Sequence, residues 1–232
     1  MKKMMIGIVL CGVLILCGCG KKVPAVLLTE ASCGQVVTDG LGLSEKEFFR
    51  IFSAEDRENW TKKEGEEAKT FDSPSPVSYT QYEIPDGGTI AGEESSMTLR
   101  FYQKGLGTVS WIGSRSGMDG EEMYTAIDGL YRELKEAFGE ADDPSWEEWT
   151  DADSFGAAME EKASQNPGQD FIWMANRWVT ASRINDDPYD QYVSLTLMFN
   201  WPAAGKATGK ATGKADGNAE LQWTVSAVRD AS

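Results

Sequence analysis

An α+β fold, antiparallel sheet with helices packed on one face, is what the sequence predicts, and three observations carry that prediction. Two helix starts are written as capping boxes, Ser44 with Glu47 and Asp119 with Glu122. Val193, Leu195, Leu197, Phe199 and Trp201 alternate with polar or smaller residues, as do Leu221, Trp223, Val225 and Ala227, the pattern of strands with one buried face. Turn signals such as PDGG, KGLG and NDDPYD separate the strand-like runs.

In chain order, the first segment is a leader. Residues 1–18 hold Lys2 and Lys3, an apolar run from Met4 to Leu16, then small residues, which is the layout of a signal peptide. The run is shorter than the roughly 20 apolar residues a spanning helix needs. Its end, Leu16, Cys17, Gly18 and Cys19, resembles the lipobox of bacterial lipoproteins, with Cys17 where alanine or serine is usual. The resemblance covers only the leader. It implies cleavage before Cys19, lipid on the Cys19 sulfur, and a place on the extracytoplasmic face of the cell membrane, anchored through that lipid.

Residues 19–42 mix small, apolar and charged side chains without a period and are expected to form a tether, with a short strand at Val23 to Leu28 and a reach of up to about 70 Å. The globular part is expected from Leu43 to Ser232. A short helix is predicted over 45–55 with Phe48, Phe49, Ile51 and Phe52 on its apolar face. A charged stretch, Lys62 to Lys69, leads to strands at Val77 to Ile84, Met97 to Gln103 and Thr108 to Gly113, with GTIAG at Gly88 to Gly92 as a hairpin-type loop. Ile127, Leu130, Tyr131, Leu134 and Phe138 then recur at helical spacing until Gly139.

Pro144 to Thr150 is a connection, followed by a helix at about 153–164. Strands follow at Trp173 to Ile184, Tyr192 to Trp201 and Leu221 to Ala227. The GKATGKATGKADGN segment, residues 205–218, has nothing to bury and reads as a flexible loop at a hairpin tip. Both halves read helix, then three strands, and Phe52 and Trp60 recur 86 residues later as Phe138 and Trp146. One domain, or two tandem helix-plus-three-strand units at 43–115 and 119–232, fits this order. Such tandem units are similar, in fold only, to lipoprotein domains of the beta-lactamase-inhibitor-protein type.

Composition narrows the function. With 22 basic and 37 acidic residues the net charge is −15, and without the leader it is −17, which repels nucleic acid. The absence of histidine excludes Ser-His-Asp and Cys-His catalysis and histidine-ligated metals. Asp151, Asp153 and Gly156 fall at positions 1, 3 and 6 of an EF-hand loop, but Phe155 and Lys162 stand at positions 5 and 12 in place of oxygen ligands. Asp186, Asp187 and Asp190 are explained by turn chemistry. No phosphate-binding loop, CxxC or GxGxxG motif occurs, so no catalytic residue, metal or cofactor is assigned. Cys33 is the one thiol left after Cys11, Cys17 and Cys19 are accounted for, and is expected to be an incidental residue of the tether.

The expected function is non-enzymatic: a tethered domain whose open sheet binds a cell-envelope or extracellular protein. The candidate binding-surface aromatics are Trp146, Trp149, Trp173 and Trp178. A glycan-binding or carbohydrate-active lipoprotein using tryptophan and carboxylate side chains is the alternative.

Overall fold

The computed structural model describes residues 25–54, 57–68, 76–142, 149–165, 171–181, 190–200 and 219–230. The leader, Cys19, Trp146, Asp186, Asp187 and the 205–218 segment lie outside them. The elements are β1 (Val26–Leu27), α1 (Cys33–Gly40), α2 (Glu45–Ile51), β2 (Phe52–Ser53), β3 (Thr61–Ala68), β4 (Pro76–Ile84), β5 (Thr89–Ile90), β6 (Glu93–Glu94), β7 (Ser96–Tyr102), β8 (Gly105–Met118), α3 (Gly120–Phe138), α4 (Ala152–Gln165), β9 (Ile172–Ala181), β10 (Asp190–Phe199) and β11 (Ala219–Asp230). Seven strands form one antiparallel sheet in the order β3-β4-β7-β8-β11-β10-β9. The α+β class with an antiparallel sheet is therefore as predicted.

Both predicted capping boxes close: Ser44 and Glu47 start α2, and Asp119 and Glu122 start α3. Gly139 ends α3 with φ +84°. The 88–92 loop is the β5–β6 turn, in which Ala91 (φ +54°) and Gly92 (φ +80°) both adopt left-handed backbone, as a tight twisted hairpin requires. Glu133 of α3 accepts the Ala91 N–H and so ties this turn to the helix layer.

Four expectations are corrected. The tether does not extend to residue 42. Val26–Leu27 pair with Phe52–Ser53, and α1 buries Cys33, Val36 and Val37 beside Leu28, so the packed chain begins by Val26 instead of Leu43. The helix predicted over 45–55 ends at Ile51, because the next two residues pair with β1. The charged stretch from Lys62 is an edge strand, β3, paired along its length with β4. The halves are not separate sandwiches: each is two helices followed by a meander, of four long strands and then three, and β8 joins β11 along a ladder from Met118↔Ala219 to Thr108↔Val228.

The 86-residue echo marks no equivalent positions, since Phe52 follows α2 while Phe138 ends α3. Another echo follows the strands. SMTLRF in β7 (96–101) matches SLTLMF in β10 (194–199), and TVSWI in β8 (108–112) matches TVSAV in β11 (224–228). β8 and β11 lie side by side at the centre with Ser110 opposite Ser226, and β7 and β10 flank them. The two hairpins differ by two residues in register: Thr98 faces Ser110, whereas Thr196 faces Thr224, not Ser226.

One face of the sheet builds the core. Met97, Leu99, Phe101, Val109, Trp111, Leu195, Leu197, Phe199, Trp223 and Val225 point to it, and the apolar faces of all four helices complete it. The helical hairpin α1–α2 is fastened to β8 by Gly42 N–H to Leu106 O and Leu106 N–H to Leu43 O, both 2.8 Å. No described element covers the other face.

Candidate functional site

Alternation along seven strands puts every second side chain on that open face, and the register sorts them into rows running across the strands. One row reads Arg177, Ser194, Ser226, Ser110, Thr98, Glu83, Thr61 from edge to edge. The adjacent row reads Ala175, Thr196, Thr224, Ile112, Ser96. Small hydroxyl side chains dominate both. Ser110 and Ser226 hydroxyls meet at 3.0 Å, and the Ser96 hydroxyl donates to Ile112 O at 3.3 Å.

Rows of mostly longer side chains bound these two, Ser114 and Thr108 being the short members. On one side stand Trp173, Met198, Gln222 and Ser114; on the other stand Val179, Tyr192, Val228, Thr108, Arg100, Gln81 and Lys63. The result is a hydroxyl-floored trough crossing the strands. Six residues separate Trp173 from Val179, so the bounding rows are about 20 Å apart, and the five strand spacings from β9 to β4 span about 24 Å. A helix with side chains, about 10–12 Å across, fits lengthwise. A 720 Å³ pocket opens over Ser96, Ile112, Ser114, Gln222 and Thr224 against the turn at Pro85 to Thr89.

The face differs in charge and apolarity from the rest of the molecule. Its cations are Lys63, Arg100 and Arg177 and its anions Glu67, Glu83 and Glu220, with Asp190 and Asp230 sharing the face by alternation at the ends of β10 and β11, so it carries only a small part of the chain's net charge of −15. Four large apolar side chains stand exposed among the described residues: Ile112, Val179 and Trp173 (66 % exposed) on this face, and Phe171 at the entry to β9.

Near β3 the charges neutralise each other. Arg100 donates to Glu67 at 2.6 Å and to Gln81 at 2.8 Å, and lies 4.5 Å from the Tyr79 ring. Tyr102 donates to the other Glu67 oxygen at 2.5 Å; burial, and then that bond, raise the Tyr102 pKa. Lys63 pairs with Glu83 at 2.6 Å and holds its carboxyl below the usual range. Near β9, Arg177 is stacked on Tyr192, its guanidinium carbon 4.3 Å from the ring centroid.

The predicted aromatics separate. Trp173 stands on the open face. Trp178 does not: it is 1 % exposed, donates its indole N–H to Gly139 O at 3.0 Å and packs against Tyr131, so its assignment to a binding surface is corrected. Trp149 sits on the helix side, half-buried, its ring edge-on to Phe155 at 5.6 Å. Cys33 lies in α1, where burial, and secondarily the Glu133 carboxylate, push its thiol pKa far above the ordinary range. Asp151 caps α4, accepting the Ser154 N–H at 2.8 Å.

Sequence reasoning missed Arg177, Tyr192, Ile112 and the hydroxyl floor. The signal lay in the second echo, whose outward hydroxyl members are Ser96 and Thr98 against Ser194 and Thr196, and Thr108 and Ser110 against Thr224 and Ser226, with Arg100 against Met198 and Ile112 against Val228. A second, more acidic cleft of 930 Å³ lies on the helix side between α2 and the β3 edge, lined by Glu45, Glu64 and Glu66 among others. Among the described residues no group of acidic or cysteine side chains is arranged to hold a metal ion, and no helix is long and apolar enough to cross a membrane. The chain matches no family model, no curated protein and no solved structure.

Proposed function

We propose that the chain is a lipid-anchored bacterial protein of the extracytoplasmic membrane face that works by docking a partner protein in the trough, not by catalysis. The observation that carries this reading is the composition of the open face: floored by small hydroxyl side chains, edged by Trp, Tyr, Met and Arg, and holding the exposed apolar side chains described above. Protein interfaces are enriched in those four residue types and depleted of charge at their centres. Glycan stacking would rest on Trp173 alone among the described candidates, since Trp178 is core and Trp149 packs on the helix side.

The anchor belongs to the same reading. Six residues, 20–25, separate Cys19 from Val26, which limits the reach to about 20 Å, so the trough works close to the membrane and not at the end of a long stalk. Cys19→Ala leaves an uncleaved precursor without palmitate label; a labelled variant would refute the anchor.

The docking experiment places a photo-crosslinking residue at Thr98, Ser110 or Thr224 in the full-length chain, in cells that make it, with exposed Lys46 on α2 as control. The expected result is one protein captured from the trough positions, absent from the Lys46 control, and lost when Ser226→Arg fills the floor. Capture from Lys46 alone, or from none of the positions, would overturn the proposal.

A further inference from the structure

Resting on that docking reading, we infer that the β9 end of the trough is an acid-binding anchor: Arg177, braced by Tyr192 and flanked by Trp173, receives a carboxylate side chain of the partner protein, while an apolar side chain beside that acid packs over Ala175. Three cations stand on the open face, and two are engaged within the fold. Lys63 is paired with Glu83, and Arg100 with Glu67 and Gln81. Arg177 is different. Among the described residues no carboxylate pairs with it, and its bracing contact is the Tyr192 ring. Stacking restrains the guanidinium plane and leaves its N–H edge to bind a planar carboxylate by two parallel hydrogen bonds.

Asp190, at the start of β10, shares this face by alternation about 13 Å along the strands from Ser194, which is opposite Arg177, and Glu220 lies about 20 Å away in the other direction. Arg177 is therefore the cation of this face not engaged by a carboxylate among the described residues, in a chain whose net charge repels acids in general. An acid reaches it only when neighbouring contacts hold it there, and those contacts are apolar and aromatic. Trp173 stands four residues before Arg177 on the same strand face, about 13 Å away, with Ala175 between them and Thr196 opposite Ala175. Ala175 is the smallest side chain of this stretch of the face and stands between a large indole and a cation. Trp, Tyr and Arg are the side chains that most often dominate binding energy at protein interfaces.

The test uses the full chain in detergent micelles with 5-fluorotryptophan, the Trp173 resonance being assigned by Trp173→Phe. The probes are two capped dipeptides, acetyl-Leu-Glu-amide and acetyl-Leu-Gln-amide. The glutamate peptide shifts the Trp173 signal saturably and binds about threefold to fivefold more tightly than the glutamine peptide, the range of one exposed charge pair. Arg177→Gln removes that difference, and Arg177→Lys keeps part of it. Equal binding of the two peptides, or no shift with either, would overturn the anchor while leaving trough docking to be decided by the crosslinking result.

Discussion

Trp173 and Trp178 sit on one strand five residues apart, so they face opposite ways, and their substitution separates core from surface. Trp178 is buried at 1 % exposure between the sheet and α3, and its indole N–H donates to the Gly139 carbonyl at the end of that helix. Trp178→Ala opens a large cavity, which costs about 3–5 kcal/mol, and also removes the donor to Gly139 O. In a domain of this size each kcal/mol moves the midpoint by about 2–4 °C, so Tm falls by roughly 6–20 °C. Trp173→Ala deletes a ring that is 66 % exposed and changes stability by no more than about 0.5 kcal/mol.

Thermal unfolding followed by near-ultraviolet circular dichroism reads both. Trp178→Phe keeps a ring in place but loses the N–H, and should fall between wild type and Trp178→Ala. A Trp178→Ala loss below about 1 kcal/mol, or a Trp173→Ala loss as large as that of Trp178→Ala, would refute the assignment of the two faces.

Three other outcomes are expected. A chain beginning at Leu43 lacks Leu28, Cys33, Val36 and Val37, all at most 2 % exposed, and forfeits about 6–12 kcal/mol of apolar burial, so circular dichroism shows it unfolded while a chain beginning at Gly20 folds. Ala91→Gly relieves left-handed backbone at a non-glycine residue, φ +54°, and raises stability by about 0.5–1 kcal/mol in urea unfolding; a loss would show that the Ala91 side chain is needed. Acid weakens the helix starts. The Ser44 hydroxyl bonded to Glu47, and the Ser154 N–H bonded to Asp151, hold both carboxyls below their ordinary range, so their contribution is present above about pH 4 and is lost as pH falls through the lower folded values. Tm should therefore drop below about pH 4, and Ser44→Ala should flatten that drop in a pH series of melts.

What was legible in the sequence was local. A capping box spans four residues and a helix stripe recurs every turn, so α2, α3 and α4 were visible from neighbouring residues alone. The first helix was not, because its glycines mark packing and read as loop: a Cβ on Gly34 would meet Ala137 at 3.0 Å, and one on Gly40 would meet Phe48 at 2.8 Å. β3 was hidden by its role as an edge. Lys62, Lys63, Glu64, Glu66 and Glu67 replace the apolar alternation with charges of the kind that discourage strand addition. The trough was out of reach for another reason, since its floor joins β9, β10, β11, β8, β7 and β4, and no local pattern says which strands are neighbours. The odd spacing of Trp173 and Trp178 did say that at most one of them shares the open face, provided β9 runs without a bulge between them.

Solubility alone does not explain the open face. An antiparallel sheet covered on one side presents a polar outer surface in any case, and charged side chains serve that purpose, as they do along β3. Across the two central rows of β7, β8, β11 and β10 the outward positions are instead Ser and Thr, with Ile112 exposed among them. Such hydroxyls suit strand backbone and can exchange water for a partner's hydrogen bonds without stripping a charge of its solvent, a cost that lysine or glutamate at the same positions would add. Each half alone would offer a floor only three strands wide. Joining β8 to β11 doubles it and places the Ser110–Ser226 contact at its centre, so the ladder that merges the two cores also creates the docking surface.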